Sequence, residues 1–145
     1  MAPLERLIAI ESLRMLQARL CRSAARRAWD EFNGRFTENA QLRVYGVNGA
    51  LDCFAFGSEI GHVINARLGS GQLTVRAGCE ELTVLSATRA EGIWAVEYFV
   101  PPSGKRGGLH GIAELHQTYE QHSGRWLIRS VDLTHPILEA RILPT

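Results

Sequence analysis

The residues best suited to chemistry lie close together in the stretch Leu109-His-Gly-Ile-Ala-Glu-Leu-His-Gln-Thr-Tyr119. Read as a strand, it puts His110, Ile112, Glu114 and His116 on one side and Gly111, Ala113, Leu115, Gln117 and Tyr119 on the other. Histidine titrates near neutral pH, and a carboxylate that orients it makes it a general base, so His110 with Glu114 is the acid–base pair the sequence offers. The alternative is structural: His110 is hydrogen-bonded in place, and Glu114 and His116 sit on a solvated or subunit-facing side. Both readings stand, because alternation does not say which side faces the interior.

Other chemistries lack their residues. Of His62, His110, His116, His122 and His135, only His110 and His116 share a strand side, and six residues of strand span about 20 Å, too far to hold one ion. No metal or cofactor is expected. Cys21, Cys53 and Cys79 are widely spaced without a C-x-x-C pair, which reads as reduced thiols of a cytosolic protein, Cys79 among them a core thiol with no histidine nearby. There is no P-loop, no G-x-G-x-x-G opening a helix and no G-x-S-x-G. With 16 Lys and Arg against 15 Asp and Glu, the net charge of +1 supplies no field for nucleic acid or an anionic membrane. Glu5, Arg6 and Glu11 interrupt the N-terminal apolar stretch, so it is not a signal peptide, and no run nears the roughly 20 apolar residues of a membrane span. The expectation is one cytoplasmic domain over residues 1–145, with no nucleic-acid or membrane partner.

The elements that must position these residues begin with a helix. From Pro3 to about Arg27 there is no internal Gly or Pro, and good helix formers dominate. Ala9, Ile10, Leu13, Leu16 and Leu20 gather on one side, Leu4, Ile8 and Met15 on the other, so both sides are expected to be covered. Trp29 to Phe36 predicts a short second helix, ended by the turn residues Thr37-Glu-Asn39. Gln41 to Tyr45 and Leu51 to Phe56 alternate around Asn48-Gly49, a hairpin. Ser58 is a plausible N-cap and Gly69 a stop for a third helix. Everything after residue 73 reads as sheet: 73–79, 82–88, a turn at Glu91-Gly92, then Ile93 to Val100 and Leu109 to Tyr119 as antiparallel neighbours, and a last strand ending at His135-Pro136. Segregated helices and long strands with Gly78, Gly92 and Gly111 at possible bends give an α+β cone with an internal cavity.

The order and spacing of Ala18-Arg-Leu20, Trp29-Asp30, Phe36-Thr37, Gly57-Ser-Glu-Ile60, Ile93-Trp-Ala-Val-Glu97, Leu109-His-Gly111 and Gly124-Arg-Trp126 resemble the SnoaL-like branch of the nuclear transport factor 2-like superfamily, relatives of ketosteroid isomerase, scytalone dehydratase and polyketide cyclases. The resemblance covers almost the whole chain and implies a curved antiparallel sheet closed by N-terminal helices, the cystatin-like cone. Dehydratase-like members place a Tyr and an Asp on the first helix, a His on the strand after the third helix and an acid on the next long strand. The matching positions here hold Leu20, Ala25, Arg76 and Tyr98, so that proton-transfer set is absent.

What the resemblance implies for the site follows from those positions. Tyr98 is the second candidate catalytic residue beside His110, its phenol a donor to a carbonyl oxygen, while Arg76, Trp94, Glu114 and Leu20 are expected at a ligand pocket. The expected function is a pocket protein for a small hydrophobic, oxygenated ligand. The alternative is a cofactor-independent lyase or isomerase with His110 as base. A homo-oligomer, a dimer through the exposed face of the sheet, is implied by the family. The apolar residues Ile93, Ala95 and Phe99 opposite Trp94, Val96 and Tyr98 agree with it.

Overall fold

A computed structural model describes residues 1–144. Helix α1 (Pro3–Ala25) starts on Pro3 and stops where Arg27 takes a left-handed φ of 59°. Helix α2 (Trp29–Asn33) follows, and β1 (Phe36–Tyr45) and β2 (Leu51–Phe56) form the predicted hairpin, with Gly49 at a φ of 78°. A 3-10 turn, Gly57–Glu59, leads into α3 (Ile60–Leu68). Then come β3 (Thr74–Val84), β4 (Arg89–Val100), β5 (Gly108–His122) and β6 (Arg125–Ile142).

The six strands form one open, curved sheet in the order β2-β1-β6-β5-β4-β3. Neighbours are antiparallel except β1 and β6, which run parallel. The chain lays its last strand beside its first, a pairing no local pattern encodes, and leaves β2 and β3 as the edges of the sheet. Ala9, Leu13, Leu16 and Leu20 of α1 pack into the core, whereas Leu4, Ile8 and Met15 stay exposed within the chain, so the helix is covered on one side rather than two.

Four local expectations are corrected. Phe36 to Asn39 is strand, not helix and turn, because Phe36 pairs with Ile128 and the Arg35 carbonyl accepts from Ile128 N–H at 2.8 Å. Residues 74–84 are one strand carrying a bulge, where Cys79 takes a φ of 50°, and Cys79 is exposed rather than a core thiol. The turn before β4 lies at Leu85 to Thr88, and Glu91-Gly92 is inside the strand. A Cβ at Gly92 would meet Leu82 at 2.7 Å and the Tyr119 hydroxyl at 3.0 Å, so this glycine makes room on the inner face rather than a turn.

The last two differences position the site. Ser58 does not cap α3; Asn33 does, accepting Gly61 N–H on Oδ1 at 2.9 Å and donating from Nδ2 to the Ser58 carbonyl at 3.0 Å. His135-Pro136 does not end β6. Between the pairs Ile112 with Leu138 and Glu114 with Thr134, three residues of β6 face one of β5, and the proline occupies this bulge, where it breaks no ladder hydrogen bond. The bulge turns His135 inward, to 1% exposure, and leaves Ile137 outside.

Candidate functional site

The inner face of the sheet and the helices border a partly open cavity of about 120 Å³. Helix α1 contributes Gln17, Leu20, Cys21 and Ala24; Phe32 and Phe36 close one end; Leu42, Val44, Val96, Leu115 and Val131 make the sheet wall. These side chains lie inside because β4 and β5 alternate with their even and odd positions inward, respectively, at the register Tyr98 to Gly111 and Val96 to Ala113. The α1 residues on this wall include no carboxylate or histidine.

At one end of the cavity stands Tyr98. Its ring lies over Gly111, where any Cβ would overlap it, so the glycine is what lets the tyrosine fold down against the sheet. The hydroxyl contacts two groups delivered by the β6 bulge: His135 Nε2 at 2.6 Å and the Glu139 carboxylate, to which it donates. His135 Nδ1 lies 2.7 Å from the Tyr45 carbonyl and donates to it, which fixes the ring. Arg67 of α3 completes the group, with Nη2 2.5 Å from Glu139 Oε1 and 2.9 Å from Asp52 Oδ2.

The electrostatics of this end follow from burial and pairing. Burial pushes the Tyr98 phenol up, and Glu139 adds to that push. Burial works against the Arg67 charge, but hydrogen bonds with Glu139, Tyr98 and Asp52 outweigh it and hold the guanidinium firmly protonated. Burial likewise opposes ionisation of Glu139, and the bonds from Arg67 and Tyr98 prevail, keeping its carboxyl below the ordinary range. Burial also raises the Cys21 thiol. The cavity wall thus carries a neutral thiol, a neutral phenol and a cation already matched by two carboxylates.

Behind the cavity lining, Trp94 is buried, and its Nε1 donates to the Tyr119 hydroxyl at 2.9 Å, which donates to Gln117 Oε1 at 2.5 Å. The Gln117 amide nitrogen and Gln17 Oε1 are buried without a partner among protein atoms.

Of the sequence candidates, the structure brings Tyr98 and Leu20 together at the cavity and places Trp94 behind it, on the same inner face. Arg76 is exposed on the other face, since its neighbour Val75 points in. His110 and Glu114 are on that outer face too, and they do not pair with each other: His110 Nε2 lies 2.8 Å from Glu97, and Glu114 lies 3.0 Å from His116. Sequence reasoning passed over Arg67, His135, Glu139, Gln17 and Gln117. The two glutamines carried a signal, being polar residues on otherwise apolar stripes; His135 and Glu139 carried none until the bulge was known. A larger depression, about 840 Å³, lies on the outer face among Glu38, Arg43, Glu120, His122 and Arg129. Arg43 is paired there with Asp132 and Arg129 with Glu120, and its lining is mostly polar, with Leu127 as its large apolar side chain.

Residues 5–132 match the SnoaL-like domain family. The chain belongs to that family. No curated protein matches it. Among solved structures, the SnoaL-like chain is similar to a candidate scytalone dehydratase from Novosphingobium aromaticivorans, at 12% identity and a TM-score of 0.80 over 97% of this chain and 94% of that one. It is also similar to hexachlorocyclohexane dehydrochlorinase type 3 from Novosphingobium barchaimii, at 14% and 0.78 over 97% and 94%. A third is an NTF2-like protein of unknown function from Pseudomonas putida, at 10% and 0.71 over 91% and 89%. At these identities the likeness is one of fold, and it supports the α+β cone of the SnoaL-like and NTF2-like proteins.

Proposed function

We propose that the protein binds a small apolar molecule, of about one ring, in the cavity between α1 and the sheet, and does not transfer protons there. The observation that carries this reading is the state of the ionisable wall groups: Cys21 and Tyr98 are pushed toward their neutral forms and Arg67 is already paired. A general base needs a pKa near the working pH, and none of these moves toward it. The volume of about 120 Å³ is of the order of an engineered cavity of about 150 Å³ that takes up benzene. No helix among the described residues is long and apolar enough to cross a membrane; a cytoplasmic location is part of the proposal, in line with three free thiols. A homodimer through the outer face of the sheet belongs to it as well, supported by the exposed Ile93, Phe54 and Phe56.

The test is a titration of the isotope-labelled chain with cumene, followed by amide NMR. Saturable shifts confined to the cavity wall, abolished when Ala24→Phe fills the space, support the reading; their absence from the native chain removes it. A second reading, a lyase or isomerase, is favoured by the contact of Tyr98 with both His135 and Glu139. It requires a substrate whose turnover falls about a hundredfold in Tyr98→Phe, whereas a binding pocket loses only affinity.

A further inference from the structure

Two buried amides on the cavity wall are incompletely bonded, at 3% exposure for Gln17 and 2% for Gln117. The orientation of Gln117 is decided by donor logic. The Trp94 indole can only donate, so the Tyr119 oxygen accepts from it, and the one phenolic proton must go on to Gln117. Tyr119, raised by burial, keeps that proton. Gln117 therefore presents its oxygen to Tyr119, and its amide nitrogen, buried without a protein partner, belongs to a side chain that lines the cavity. Gln17 is less constrained: its nitrogen reaches only the Cys21 sulfur at 3.8 Å, and a thiol can pair with either end of an amide.

A buried donor without a partner costs about 1–3 kcal/mol, so a native cavity holding one is matched to a ligand that accepts from it. Charge narrows the class. Among the described residues the one ionised side chain that lines the cavity is Arg67, already paired with Glu139 and Asp52, and no carboxylate lines it, so an ionised ligand of either sign would be buried unpaired.

We propose that Gln117, held by the Trp94–Tyr119 relay, is a specificity-determining residue for an uncharged apolar ligand bearing a carbonyl oxygen, with Gln17 as an adaptable second amide. This rests on the binding reading above. Trp94 and Tyr119 are positioning residues in it.

The experiment compares acetophenone with cumene, a near-isostere lacking the oxygen, on the full chain and on Gln117→Met. The expected result is that the substitution weakens acetophenone about tenfold, the loss of one hydrogen bond to a buried amide, and leaves cumene within about twofold. The Gln117 side-chain N–H₂ resonances of the native protein are expected to move with acetophenone and not with cumene. That second readout needs no variant, so it decides the matter if Gln117→Met does not fold. If both compounds bind but are affected alike and the N–H₂ signals respond to neither or to both, the inference is overturned and the cavity reading survives. If cumene itself fails to bind, the cavity reading falls and takes the inference with it.

Discussion

The hydroxyl of Tyr98 lies 2.6 Å from Nε2 of His135, a residue 37 positions later in the chain. The contact crosses from β4 to the bulge of β6, and it exists because the bulge turns His135 inward beside Glu139 while Gly111 leaves space under the phenol ring. Through Glu139 and Arg67 it also ties α3 to the sheet. The polar end of the cavity is therefore one connected unit, and the consequences of disturbing it can be stated.

Gly111→Ala drives a methyl group into the Tyr98 ring. Overpacking of this kind costs about 1–3 kcal/mol, and the displaced phenol loses its bonds to His135 and Glu139. Urea unfolding is expected to show a lower midpoint with an unchanged slope.

The pH dependence of stability has two limbs. Glu139 has a folded pKa below its ordinary 4.5, so its contribution is complete above that value and is lost as pH falls through the depressed one. Tyr98 has a folded pKa above its ordinary 10.0, so its contribution is complete below pH 10 and is lost as pH rises beyond it. Glu139→Gln is expected to flatten the acid limb and to lower stability at neutral pH by about 1–3 kcal/mol, through the buried Arg67 it leaves underbonded. Tyr98→Phe is expected to reduce the alkaline loss. Denaturation midpoints measured from pH 3 to about 11 check both.

Asn33→Ala removes the cap of α3, which comes from α2 rather than from the preceding residue. About 1 kcal/mol is expected, with faster hydrogen exchange at Gly61 and the first turn of α3.

His110→Gln separates the outer face from the cavity. Its partner Glu97 is exposed, and exposed pairs contribute little, about 0–1 kcal/mol. Cumene affinity is expected to change by less than about twofold; a large change would tie the outer face to the site.

The proposed dimer predicts a mass twice 16.1 kDa in light scattering at micromolar concentration. Ile93→Arg on the outer face is expected to return it to monomer without loss of cavity binding. A monomeric native protein removes the dimer.

The sequence by itself determined the architecture. Helix formers without Gly or Pro from residue 4 to 27, the Asn48-Gly49 hairpin and the alternation of residues 93–100 and 109–119 are local signals, read from periods of 3.6 and 2, and they were enough to expect an α+β cone, while the family was read from a resemblance in the order and spacing of short motifs. Tyr98 and Leu20 could be placed at the cavity because their positions in that family pattern are fixed. What only the tertiary structure decided was the company they keep. The side of β5 that faces inward depends on register with β4, which no residue of β5 encodes alone, and this is why His110 and Glu114 lie outside; on β3 it is Val75 that points in, which leaves Arg76 on the outer face. His135, Glu139 and Arg67 reach Tyr98 only through a three-residue bulge and a helix from elsewhere in the chain. Polar groups distant in sequence meet where backbone irregularities bring them, and a bulge leaves little mark in hydrophobic periodicity.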